Sequence, residues 1–194
     1  EHETHWKTFL TSLKQRGLNG MELITSDAHE GLGAARRAVF GSIPWQRCQF
    51  HLQQNASAYV PRKAMQAEVA ADIRAMFNAP DRETAEEYLQ GAIRKYAVSA
   101  PRLSTWMEES LSEGFTVFNF PLEHHRTIRT TNSLERINKE IRRRTRVVGV
   151  FPNETSCLRL VSALLMETSE EWQIGKRYCA DKKVQTEDHW VFLT

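Results

Sequence analysis

The sequence contains no apolar run of membrane length. One of the longest is Ala163, Leu164, Leu165 and Met166, far short of the roughly 18–20 residues a membrane span needs. No secretory signal opens it: Glu1, His2 and Glu3 are polar, and no apolar stretch follows them. Cysteine is scarce. Cys48, Cys157 and Cys179 are too few for a disulfide framework, which sets a reducing compartment as the default expectation. Repeats and low-complexity tracts are missing as well. So is a large net charge, since 26 Lys and Arg stand against 24 Asp and Glu, leaving +2. With 194 residues, 41% hydrophobic and 26% charged, the chain is ordinary for a globular protein of one or two compact parts. It does not begin with Met, and we read it as a piece of a longer chain.

Hydrophobic spacing orders the first third. Trp6, Phe9, Leu10 and Leu13 recur at helical intervals, and Gly17 is placed to end that helix. Met21 to Ser26 is short and largely apolar after Gly20, as a buried strand would be, and Asp27 stands where it stops. Leu32, Ala35 and Val39 give residues 29–40 a helical spacing, which Gly41 and Pro44 end. Residues 45–50 then read as a second strand. Strand, helix and strand in about 30 residues are a βαβ unit, with parallel strands.

From about Met65 the texture becomes helical and acid-rich. One stripe is Met65, Val69, Ile73 and Met76. A second is Ala85, Leu89, Ala92, Ile93 and Tyr96, behind an N-cap at Asp81. A third, after Pro101, is Leu103, Trp106, Met107 and Leu111. These stripes read as core packing, and the block as an all-helical insertion in an α/β domain. Residues 115–120 are apolar but undecided. Helices are expected from about residue 133 and over 155–172, and the last dozen residues carry little signal.

The small net charge hides an asymmetry. Between residues 126 and 146 lie eight cations and two carboxylates, a local +6. On a helical wheel Leu134, Ile137, Ile141 and Val148 share one stripe, expected to face a core. Glu135, Lys139, Arg142 and Arg146 share its neighbour, so one carboxylate heads a ladder of cations. Such a face attracts phosphates, although a solvated basic face that binds nothing has the same composition.

Two carboxylates stand out. Asp27 is at the expected carboxyl end of a strand, where α/β sheets collect ligands and catalytic groups. Glu135 heads the basic ladder. Each has a plainer reading as a helix cap: Asp27 with Glu30 in a capping box, Glu135 at the third position after Asn132. Taken together, carboxylates from different elements hold pairs of divalent metals for in-line phosphoryl displacement, and hard oxygen ligands select Mg²⁺ or Mn²⁺. Cys48 and His51 form a C-x-x-H pair. A zinc site would need further ligands, and Cys157, Cys179, His124 and His125 offer no paired spacing. No acid–base arrangement supports a Cys48 nucleophile, so packing and hydrogen bonding is the favoured reading.

Several stretches in series resemble one family. They are Trp6, Phe9-Leu10, Leu13 and Arg16-Gly17-Leu18; Ser26-Asp27-Ala28-His29-Glu30-Gly31-Leu32; Gln46-Arg47-Cys48-Gln49-Phe50-His51; Arg129-Thr130-Thr131-Asn132-Ser133-Leu134-Glu135-Arg136; and Arg143-Arg144-Thr145-Arg146-Val147-Val148-Gly149-Val150-Phe151-Pro152. In this order they are similar to the mutator-type transposases of bacterial insertion sequences, from Glu1 to about Tyr178. The resemblance implies an α/β fold, a partial RNase H-like core with an all-helical insertion. Its expected parts are residues 1–52 (the βαβ unit), 53–120 (the insertion), 121–180 (core helices with the catalytic Glu) and 181–194 (a tail). It implies metal-dependent DNA cleavage and strand transfer by an Asp-Asp-Glu triad, in which Asp27 matches the second Asp and Glu135 the Glu. Cys48 and His51 match a family signature.

No residue matches the family's first Asp, whose strand lies upstream of this sequence. The chain therefore resembles the C-terminal part of such an enzyme, expected to be inactive alone and to expose an open sheet edge. Arg136, Lys139, Arg142, Arg143 and Arg146 are the expected DNA contacts, chosen by charge. The implied partners are insertion-sequence ends, target DNA and further copies of the protein, in the cytoplasm at the nucleoid and with no membrane. A non-catalytic DNA-binding remnant and a nuclease that cuts without joining are the rival readings.

Overall fold

A computed structural model of the chain describes residues 2–174 and 189–193. Helix α1 (Glu3–Gln15) leads through a turn to strand β1 (Met21–Ser26), helix α2 (Glu30–Phe40) and strand β2 (Trp45–Arg47). Gly17 and Gly20 have positive φ in that turn (98° and 68°), a conformation that costs glycine least. β1 and β2 pair in parallel, with Ser26 opposite Arg47, so the βαβ expectation holds. The second strand is shorter than expected. It stops at Arg47, and residues 49–50 already belong to helix α3 (Gln49–Ala56). Leu10, Ile24, Leu32, Ala35 and Phe40 form a small core between the sheet and α1 and α2.

The larger core is helical. Helices α4 (Gln66–Phe77), α5 (Arg82–Tyr96) and α6 (Pro101–Ser110) contribute the three predicted stripes. Val69, Ile73, Met76, Ala85, Leu89, Tyr96, Leu103 and Met107 are buried together with Leu52, Leu111 and Phe115. Asp81 caps α5, accepting a 2.8 Å hydrogen bond from Thr84 N, and this holds its carboxyl below the usual range. On the rim, Tyr96 donates to Asp72 (2.6 Å) and Lys95 pairs with Asp72 and Glu68. Burial, then that hydrogen bond, push the Tyr96 phenol up to about 12. The undecided stretch 115–120 holds a 3₁₀ turn over Thr116–Asn119.

The block is fastened to the sheet at Gly114. Its carbonyl accepts 2.9 Å hydrogen bonds from the buried Gln46 and Gln49 side chains. A Cβ there would stand 2.8 Å from Leu52 and 3.0 Å from Phe77, so only glycine fits without movement. Gln46 also accepts from Val117 N at 2.7 Å, and Arg47 pairs with Glu113 at 2.7 Å.

Helix α7 (Leu122–Ile128) brings the chain back to the sheet, where the Thr25 hydroxyl donates to the Ile128 carbonyl (2.7 Å). Helices α8 (Asn132–Val148) and α9 (Glu154–Ile174) follow as a contacting pair. Neither has a buried residue among those described. This corrects one expectation: Leu134, Ile137 and Ile141 are only half-buried and Val148 is exposed, so the stripe enters no core among the described residues. Strand β3 (His189–Leu193) pairs in parallel with β1 on the side away from β2, giving the order β2-β1-β3. β1 is therefore the central strand. Cys179 lies outside the described residues, as does most of the tail assigned to 181–194.

Candidate functional site

Parallel pairing explains why distant residues meet. β1 and β2 end side by side, so Asp27 and Cys48 leave the sheet at the same carboxyl edge. There the Cys48 N–H donates to the Ser26 carbonyl (2.8 Å). α3 starts at once and carries His51 one turn away. The Gln49 N–H donates to the Arg129 carbonyl (3.0 Å), which ties the start of α3 to the segment leading into α8. Glu135 is one turn into α8.

His51 lies between the two carboxylates. Its Nδ1 is 3.9 Å from Asp27 Oδ2, and its Nε2 is 3.7 Å from Glu135 Oε1. The Asp27 and Glu135 side chains are 44% and 40% exposed, leaving room for water or a phosphate beside them. The His51 Nδ1 atom itself is buried without a hydrogen-bond partner among the described residues. Edge-on contact with Phe50, at 5.5 Å between ring centroids, orients the imidazole.

Neither carboxylate caps a helix. The N-cap of α2 is His29, whose Nδ1 accepts from Leu32 N (3.3 Å), whereas Asp27 Oδ1 accepts from Ala28 N (2.9 Å). The N-cap of α8 is Thr131, so Asn132 is already helical and Glu135 is the fourth helical residue. Both capping expectations are thus corrected. Each side chain keeps an oxygen directed toward His51.

Thr131, which spacing alone does not single out, is fully buried and joins Cys48 to Glu135. Its hydroxyl is 3.1 Å from Glu135 Oε1 and 3.5 Å from Cys48 Sγ. A hydroxyl has one proton, and a carboxylate is the stronger acceptor, so Thr131 donates to Glu135 and turns a lone pair toward the Cys48 thiol. This gives Cys48, itself fully buried, the packing and hydrogen-bonding role. Two half-exposed carboxylates suit a hard cation that keeps several waters and takes its remaining ligands from phosphate oxygens.

Beyond Glu135 an open groove of about 1420 Å³ runs along α8, bounded by His51, Glu135, Arg136, Lys139, Arg142, Arg143 and Arg146 and by Thr168, Glu171 and Trp172 of α9. It exceeds the roughly 300–1,000 Å³ of small-molecule pockets. All five cations singled out by charge line it, but they are not equivalent. Glu140 accepts from Arg143 Nη2 (2.6 Å) and Arg144 Nε (2.8 Å). These hydrogen bonds lower the Glu140 carboxyl to about 2. Arg136, Lys139, Arg142 and Arg146 have no carboxylate partner among the described residues.

The family model described as "Transposase, Mutator family" matches residues 1–175. The chain is 56% identical over 178 residues to the transposase for insertion sequence element IS406 of Burkholderia multivorans, covering 92% of this chain and 46% of that protein. It is 44% identical over 178 residues to the transposase for ISRM5 of Rhizobium meliloti, covering 92% and 44%. It is 38% identical over 180 residues to the transposase for IS256 in transposon Tn4001 of Staphylococcus aureus, covering 91% and 45%. The chain thus spans under half the length of these curated relatives.

Proposed function

The chain belongs to the Mutator family of transposases, and from that premise we propose that it is the part of a transposase catalytic domain that brings two metal-holding carboxylates to DNA. The observation that carries this reading is the convergence of Asp27 and Glu135, 108 positions apart in the chain, on opposite nitrogens of one imidazole. On this reading the parallel sheet belongs to a partial RNase H-like core, and α3 to α6 with their following turns form its helical insertion. Asp27 and Glu135 hold Mg²⁺ or Mn²⁺, which would polarise a phosphodiester and stabilise the oxygens that attack and leave. Thr131 fixes the Glu135 carboxylate, and His51 keeps the two carboxylates apart. Arg136, Lys139, Arg142, Arg143 and Arg146 lead the DNA backbone along α8 toward them. The complete protein works on insertion-sequence ends and target DNA, as an assembly of several copies.

The test uses the complete transposase with Asp27→Asn or Glu135→Gln, shapes that preserve the local hydrogen bonds. We expect Mg²⁺-dependent cleavage of an insertion-sequence end to fall by about a hundredfold or more, with an unchanged melting curve. Cleavage surviving either change overturns the metal role. Strand transfer from pre-cleaved ends separates a transposase from a nuclease of the same fold. A second reading applies to the 194 residues alone. No third carboxylate joins Asp27 and Glu135 among the described residues, which favours DNA binding without cleavage. Nicking by the isolated chain in Mg²⁺ would exclude it.

A further inference from the structure

Cys48 is bonded toward both halves of the carboxylate pair. Its N–H donates to the Ser26 carbonyl at 2.8 Å, one residue before Asp27. Its Sγ lies 3.5 Å from the Thr131 hydroxyl, which in turn lies 3.1 Å from Glu135 Oε1. Cys48 also occupies the N-cap position of α3, yet its thiol makes no cap hydrogen bond there. The thiol is directed to Thr131 instead.

Both partners are 0% exposed, so solvent cannot stand in for either, and a hydroxyl that loses a partner there stays unsatisfied. The Thr131 proton goes to Glu135, which leaves its oxygen to accept, and the Cys48 S–H is a donor within reach. A thiol suits the place. It packs like a small hydrophobe, and its sulfur reaches farther than a serine oxygen would.

The separation of the two carboxylates needs such an anchor. Paired metal ions sit about 3.5–4 Å apart, and Mg²⁺ tolerates little departure from its short ligand distances. Ligands for such a site must be held to within about 0.5 Å. Glu135 stands on a helix with no buried residue among those described, so α8 does not fix it through a core. The buried pair of Thr131 and Cys48 does.

We propose that Cys48 is the positioning residue of the carboxylate pair. It gauges the distance from Asp27 to Glu135, holding the end of β1 through its main chain and Glu135 through Thr131. The C-x-x-H pair then works as one device: Cys48 sets the spacing from inside the fold, and His51, one helical turn on, stands between the two carboxylates. This rests on the metal-carboxylate reading above and adds the residue that sets its geometry.

The test measures Mg²⁺-dependent cleavage of an insertion-sequence end by the complete transposase at saturating DNA. Cys48→Ala should lower the rate about 10- to 100-fold, as loss of the partners behind metal ligands does, with DNA affinity in the absence of metal unchanged. Thr131→Val should do the same, and Thr131→Ser, which keeps the hydroxyl, should keep most of the rate. Cys48→Ser, which keeps a donor of shorter reach, should retain more than Cys48→Ala. Adding Cys48→Ala to Thr131→Val should cost nothing further, because Cys48 acts through Thr131, whereas two independent packing defects would multiply their losses. Matched melting curves establish that the variants fold, and if Cys48→Ala does not, Cys48→Ser with and without Thr131→Val carries the test. Full activity of Cys48→Ala overturns the proposal, as do multiplying losses or a Cys48→Ser no more active than Cys48→Ala. If Asp27→Asn and Glu135→Gln leave cleavage intact, the metal reading itself fails. If they abolish it and Cys48→Ala changes nothing, the positioning inference alone fails.

Discussion

The helices of α4–α6 and those of α8–α9 are built from similar sequence patterns and put to opposite uses. In the first group the apolar stripes close on one another, and Ile73, Leu103, Met107 and Leu111 have no exposed surface at all. In the second no described side chain is buried, and Leu158, Leu165, Met166 and Trp172 remain exposed. Charge divides the same way. Carboxylates prevail on the closed block, whereas in the open pair cations crowd α8 and α9 stays acidic, with Glu154, Glu167, Glu170 and Glu171 against Arg159. A stripe at helical spacing thus specifies a helix and an apolar face but not what covers that face. The closed block supplies a core, and the open pair supplies the surface along which the proposed DNA track runs.

That contrast can be tested by substitution. Leu103→Ala should cost about 2–5 kcal/mol in chemical denaturation, as buried leucines do, whereas Leu165→Ala should stay within about 0.5 kcal/mol. Comparable losses would erase the distinction. Gly114→Ala should cost about 1–3 kcal/mol through overpacking against Leu52 and Phe77, with both Gln46 and Gln49 disturbed. A neutral result would mean the joint between block and sheet yields easily. On the open side, Arg142→Ser with Arg146→Ser should lower the slope of log affinity against log salt by about 1.8, at about 0.9 per lost phosphate contact, without changing the melting temperature. The smallest effect is expected at Glu140. Glu140→Gln releases Arg143 and Arg144 and should tighten DNA binding by a few-fold, about what one added cation contributes. The direction of its pH dependence follows from its lowered carboxyl. The ion pair is complete above the ordinary value of 4.5 and is lost only as pH falls through about 2. Affinity should therefore show no Glu140-linked change between pH 5 and 8.

Much of the molecule was legible in the sequence where periodicity and burial coincide. β1, α2 and the three stripes of the block stand where their spacing put them, because local pattern and tertiary packing agree there. The carboxylate pair was legible only as two isolated acids with a shared resemblance. Its convergence depends on parallel pairing and on the tie from Gln49 to Arg129, and no local pattern carries either. Three misreadings have physical causes. Residues 48–50 looked like strand because Cys48 and Phe50 are apolar, but the chain turns into α3 once β2 has three residues. Asp27 and Glu135 resembled caps because sequence spacing does not reveal where a helix begins: His29 caps α2, and α8 begins one residue early with Thr131 at its N-cap position and no side-chain cap. β3 was missed because its five residues pair with a strand about 170 positions earlier, and nothing local announces that partner, though Trp190, Val191, Phe192 and Leu193 favour strands.

The double hydrogen bond onto Gly114 has a consequence for how the molecule can vary. The polypeptide leaves the sheet after Arg47 and is tied back at Gly114 by Gln46 and Gln49, so the segment between closes on its own start. The segment is not a free cassette, because His51 and Asn78 within it reach Asp27, Glu135 and Arg129, so a change in its length is felt at the carboxylates.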